Sequence, residues 1–222
     1  MTLPERRPST GWLIYGKNPA TIRPLPFTGV SPAPPLDPKC NLLGYTFTFS
    51  HGSASSSPLR WVFTVISTRK HLDYVHGYLA LNLHAEARAE LALIRTADLD
   101  QPAVLIAHIE LAMATSAWSH VIALATRVTA ALPDAERPWT AWAFALREKQ
   151  LISEARDVLI RGERAITAPS PLVDYNLACY HCLLGELAEA RRRLKRAITR
   201  EPEWKTEAAS DPDLAALKSP KI

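Results

Sequence analysis

The sequence predicts an all-α fold: an α-α superhelix, or solenoid, of about four helix pairs closed by a short C-terminal capping helix and preceded by a disordered N-terminal segment. Three observations carry that expectation: a period of 34 residues beyond residue 68, helical apolar spacing within each period, and a crowding of helix-breaking residues before residue 59.

The period appears when four segments are superposed on Ala87, Val121, Ala155 and Ala190, which lie 34, 34 and 35 residues apart. Four residues after each anchor stand Leu91, Ala125, Leu159 and Leu194, and near three of the unit ends come Pro133, Pro169 and Pro202. One helical face and one helix stop therefore recur together. Upstream of the anchors lie four more runs, Leu72 to Leu81, Val104 to Met113, Trp139 to Leu146 and Tyr175 to Leu184, with apolar residues three and four apart. Each unit thus reads as a helix pair, with expected bounds of about 68–101, 102–135, 136–170 and 171–204. A lone pair cannot bury its apolar stripe, whereas the small residues Ala143, Ala155, Ala178, Ala190 and Ala197 let neighbouring pairs stack closely.

The units differ in detail. The third keeps Trp139, Trp142, Ala143, Ala155 and Leu159 but carries about one extra turn, Gly162-Glu163-Arg164, which predicts a longer second helix. The first two, with Tyr74, Val75, Tyr78, Ala87 and Leu91, and with Ile109, Ala112, Val121 and Ala125, are held by register. Residues 205–222 form the expected cap: Asp211 stands as N-cap and Pro212 at the first position of a last short helix.

Residues 1–67 follow another rule. Ten of the 18 prolines and five of the 8 glycines precede residue 59 and interrupt every helix before three turns, so low order is expected. Two β-prone runs, Tyr45 to Phe49 and Trp61 to Ile66, could pair as a hairpin, which alone is marginal in water. The second run is uncharged over six residues and would be an aggregation hazard if uncovered. This raises the expectation that part or all of residues 1–67 is not natively translated, which a search for Met1-derived peptides by mass spectrometry would test.

Charge is equally lopsided. Residues 1–70 carry eight bases against Glu5 and Asp37, so the remainder has 18 bases and 20 acids and no basic footprint for nucleic acid. No apolar run reaches 18 residues, so no spanning helix and no membrane partner are expected. The run Gly11 to Tyr15 is too short for a signal sequence, and Cys40, Cys179 and Cys182 make no disulfide framework, which together point to the cytoplasm.

Catalytic chemistry finds little support. The histidines at 71, 76, 84, 108, 120 and 181 have no carboxylate or serine recurring beside them in a triad-like order. Cys179-Tyr180-His181-Cys182 lacks a second ligand pair for zinc and falls in mid-helix, where nothing lowers a thiol pKa. No metal, cofactor or catalytic residue is expected. Arg191, Arg192, Arg193, Lys195, Arg196 and Arg200 read as a solvated convex face near a helix C-terminus in preference to a phosphate site.

The unit at 171–204 is similar to the tetratricopeptide repeat: Leu177-Ala178 match its large-small pair, Gly185 its inter-helix turn, and Ala190, Leu194, Ala197 and Pro202 its second helix. His181 departs from the usual tyrosine. Roughly 60% of the chain falls under this ruler and resembles a bacterial-type tetratricopeptide protein with about four repeats and a C-terminal capping helix.

In such proteins the first helix of each pair lines a concave groove, which implies a binding surface of Arg69, His76, Glu110, Met113, Thr140, Phe144, Arg147, Tyr175, Cys179 and Cys182. The lysine and asparagine set by which some relatives grip a C-terminal carboxylate is not matched, since only Asn176 falls at a suitable place. The resemblance implies a non-catalytic scaffold or adaptor that takes a peptide or helix of a protein partner. A secretion-type or assembly chaperone is the alternative, and an enzyme a third reading whose constellation the spacing does not supply. The partner's identity and the oligomeric state stay open.

Overall fold

The computed structural model describes residues 45–46 and 64–218. The low order and the absence of native translation expected over the rest of residues 1–67, and residues 219–222 of the expected cap, lie outside the described residues. The chain divides after Ser116 into two compact units.

In the first unit, β1 (Tyr45–Thr46) and β2 (Thr64–Val65) pair antiparallel, with Tyr45 opposite Val65 and Thr46 opposite Thr64. These residues fall within the two β-prone runs. Helix α1 (Thr68–Ala80) begins at Ser67, whose hydroxyl accepts from the Lys70 amide at 3.4 Å and so satisfies one free N-terminal donor. Helix α2 (His84–Leu91), a 3₁₀ turn (Thr96–Asp98) and α3 (Pro102–Ala114) follow. Val75, Ala87, Leu91, Ile94, Val104, Ala107 and Leu111 form their shared core. Buried Asp98 accepts from Thr68 Oγ1 at 2.6 Å, Gln101 Nε2 at 2.7 Å and Arg95 Nη2 at 2.8 Å. The Thr68 hydroxyl and then the Arg95 side chain hold its pKa below the ordinary carboxylate value.

The second unit carries α4 (Trp118–Ala131), α5 (Glu136–Glu148), α6 (Ile152–Ala165), α7 (Pro171–Leu183) and α8 (Leu187–Arg200). Each of these packs on the next in sequence order, as shared apolar stripes require. Helix α9 (Trp204–Ser210), a 3₁₀ turn (Pro212–Leu214) and α10 (Ala215–Lys218) complete it. Asp211 caps that turn by accepting from the Asp213 amide at 2.9 Å.

The period is written in the backbone. The turns after α1, α3, α5 and α7 each contain one residue in the left-handed region: Asn82 (φ 57°), Ser116 (φ 55°), Gln150 (φ 64°) and Gly185 (φ 79°). Their separations are again 34, 34 and 35 residues. Only Gly185 adopts this geometry without a Cβ penalty, which for other residues is about 1 kcal/mol or more.

Two sequence expectations are corrected. Helix α6 has 14 residues, the same as α4 and α8, so the third unit has no longer second helix. Instead, Gly162 admits Trp139: a Cβ there would meet Trp139 Cγ at 2.7 Å. The basic run on α8 is not uniformly solvated either. Arg193 is 8% exposed, bonds Glu163 through Nη1 at 2.5 Å and Nη2 at 2.9 Å, and reaches buried Asp174 at 2.9 Å and Glu189 at 3.1 Å. Arg196 adds an ion pair to Asp174 at 3.4 Å.

Candidate functional site

The first helices of two successive pairs, α5 and α7, carry five of the residues implied as groove-lining besides Thr140, and the structure brings all five beneath or beside the segment that follows α9. Chain spacing places them: Phe144 and Arg147 lie three apart on α5, and Tyr175, Cys179 and Cys182 lie four and three apart on α7, so each set shares one helical face.

The face is not bare. Trp204 stacks on Tyr175 with ring centroids 4.4 Å apart, and Tyr175 Oη donates to Asp211 Oδ2 at 2.7 Å. The Cys179 thiol donates to the same oxygen at 3.7 Å. Two bonds join Arg147 to Asp213, one from Nε at 2.9 Å and one from Nη2, and Arg147 Nη1 donates to Glu148 at 2.6 Å. Leu214 is 1% exposed, while Pro212 between the two aspartates is open to solvent. Asp211-Pro212-Asp213-Leu214 thus lies over α5 and α7 with acidic groups directed inward and a proline outward.

Electrostatics follow from one guanidinium among three carboxylates. Burial opposes the charge of Arg147, yet Asp213 and Glu148 hold it protonated above its ordinary range. Burial lifts Asp213 above the usual carboxylate value, and the charges of Asp211 and Glu148 add to that rise against the pull of Arg147. Burial also pushes the Cys179 thiol well up, with Asp211 reinforcing it, and raises Cys182, partly offset by the Leu217 and Ala216 backbone amides. Both thiols are therefore protonated at neutral pH, poor nucleophiles and poor metal ligands.

Ligand atoms of Cys179, Asp211 and Asp213 lie within 4.8 Å of one another. A cation there would displace the thiol and Tyr175 protons from Asp211 and face the charge of Arg147, so this donor set favours the observed hydrogen bonds.

A cavity of about 20 Å³ remains between Phe144, Arg147, Tyr175, Asn176, Tyr180 and the segment, enough for one water. Tyr180 is 3% exposed and its hydroxyl has no hydrogen-bond partner among the described residues.

Other implied positions lie elsewhere. Thr140 is 2% exposed and bonds the Arg137 carbonyl of its own helix at 2.9 Å, so it is core. In the first unit, Met113 is likewise core at 3% exposed; His76 Nε2 sits 3.2 Å from Glu110 Oε2; Arg69 is exposed. His181 pairs with Glu186 at 2.5 Å beside the α7–α8 turn. Sequence reasoning missed Asp211, Asp213 and Leu214 as parts of the site, although the cap signal at Asp211-Pro212 had marked their local structure.

No protein-family model matches the sequence, and no curated protein matches it. Among solved structures, MamA AMB-1 in its P212121 form is similar at a TM-score of 0.52 and 20% identity, over 65% of this chain and 77% of that one. The C2221 form of MamA AMB-1 is similar at a TM-score of 0.51 and 20% identity, over 65% and 83%. MamA is a tetratricopeptide-like protein. The fold is thus all-α and tetratricopeptide-like. At this identity the likeness carries the fold alone. No helix among the described residues is long and apolar enough to cross a membrane.

Proposed function

We propose that the chain is a non-catalytic scaffold of the cytoplasm that holds a peptide or helix of a protein partner on the face made by α5 and α7. One observation supports this above the rest: that face already holds a short capped 3₁₀ segment by side-chain recognition, with Arg147 on Asp213 and Tyr175 on Asp211. The protonated state of both buried thiols agrees with a role in binding. Within this reading Phe144 and Arg147 are the residues open enough to meet a partner, while Tyr175, Cys179 and Cys182 form the floor.

The test is affinity capture from the native cell with the wild-type chain and with a Phe144→Ala/Arg147→Ala variant shown to be folded by circular dichroism. Loss of a captured protein with the variant is expected, and unchanged recovery would move the binding surface away from α5.

A further inference from the structure

The segment on α5 and α7 has the attributes of a bound ligand as well as those of a cap. A cap needs only to shield apolar surface, and α9 does so by burying Trp204 and Ala208. The carboxylates of Asp211 and Asp213 add no apolar burial, and the desolvation of an ion pair offsets much of its Coulombic gain, so these contacts add little as a cap. Their arrangement is selective: they are two residues apart, each reaches an anchor on a different helix, and Leu214 fills the adjoining apolar site. The fit is also incomplete, since Tyr180, whose hydroxyl has no partner among the described residues, lines a water-sized cavity.

We propose that the α5–α7 face is a recognition site for a short acidic segment, with two carboxylates two residues apart followed directly by a leucine, and that residues 211–214 fill it in cis until such a segment of another protein displaces them. This rests on the scaffold reading above and supplies the chemical class of its ligand. Arg147 reads the second carboxylate, the Tyr175 hydroxyl the first, and the Leu214 site the apolar residue. Because it is tethered, the chain's own segment competes at an effective concentration of order millimolar. Only a partner that binds the free face well below that level displaces it, so the cis segment acts as a threshold.

The test uses the full chain and a fluorescently labelled peptide, Ser-Asp-Pro-Asp-Leu-Ala-Ala-Leu, followed by anisotropy. An Asp211→Asn/Asp213→Asn chain, with its own segment weakened, should bind the peptide about tenfold or more tighter than wild type, as release of a tethered competitor demands. Adding Arg147→Ala to that chain should remove the gain, and the same peptide with Asn at both Asp positions should bind neither. Equal affinity for wild-type and weakened chains, or indifference to the peptide's carboxylates, would overturn the proposal. Should the weakened chain fail to fold, hydrogen exchange on the wild type decides: excess peptide should speed exchange at residues 211–218, and no change would overturn it. A peptide-sensitive dimer of the wild-type chain would assign the face to a second copy and equally overturn a foreign partner. If the peptide fails while capture still depends on Phe144 and Arg147, only this inference falls; if capture ignores both residues, the scaffold reading falls with it.

Discussion

Two arginines in the second unit, buried Arg193 and half-buried Arg147, sit among carboxylates with opposite electrostatic results. Arg193 on α8 serves Glu163, Asp174 and Glu189, and Arg192, Arg196 and Arg200 stand nearby. That surplus of positive charge, led by the Arg193 hydrogen bond, holds Glu163 below its ordinary value, and Arg192 and Arg193 hold Glu189 down at about 2. Arg147 bonds Asp213 and Glu148, and burial lifts Asp213 above its ordinary value. The first cluster clamps α6, α7 and α8 together within the helical stack. The second joins α5 to a short segment that can leave and be rehydrated. The two clusters thus differ in what they join: three helices of the stack in one, a helix and the segment that follows α9 in the other.

The largest effect expected to sharpen this contrast comes from removing each arginine in turn. Arg193→Ala takes the close bonds from Glu163 and buried Asp174, leaving Asp174 the longer pairs to Arg196 and Arg200, and should lower unfolding free energy by about 2 kcal/mol in urea denaturation. Arg147→Ala should cost only about 1 kcal/mol, because its carboxylates can swing into water with the segment. Hydrogen exchange should then rise at residues 211–218 and leave α5 to α8 protected. Equal losses for the two variants would break the distinction.

Acidity should weaken the clamp. Glu163 and Glu189 have depressed folded values, so their contribution is present above the ordinary carboxylate pKa and is lost as pH falls through the depressed values. Titration from about pH 5 to about pH 2 should therefore lower the urea midpoint, and Arg193→Ala should flatten that decline. An equal decline in both chains would contradict the assignment.

The smallest effect concerns the turns that set the helix pairs, and it separates the stack from the segment that follows α9. Gly185→Ala places a Cβ at φ 79° in open space, so backbone strain alone should cost about 1 kcal/mol, whereas Gln150→Gly should recover a few tenths. Both should leave exchange at residues 211–218 unchanged when corrected for global stability.

The sequence disclosed what periodicity encodes. Ala155 and Ala190 are fully buried where their register predicts, and Gly185 occupies the left-handed turn. The cap at Asp211 was legible because Asp-Pro has local meaning. Long-range pairing was not: nothing in the spacing of Arg193 distinguishes it from exposed Arg192, since burial depends on Asp174 19 residues away. Gly162 looked like part of an inserted turn because the sequence does not show that Trp139 needs the space. Helical register put Arg147, Tyr175, Cys179 and Cys182 on one surface, yet it carries no signal that a segment 32 to 66 residues later folds over them.

The unsatisfied phenol of Tyr180 gives that surface a direction in which to improve. A segment that offers one more acceptor at this point, such as a hydroxyl or a shifted carbonyl, would complete a hydrogen bond in a shielded place. Since the resident residues leave the bond unmade, selectivity between foreign and native sequence can turn on one oxygen atom.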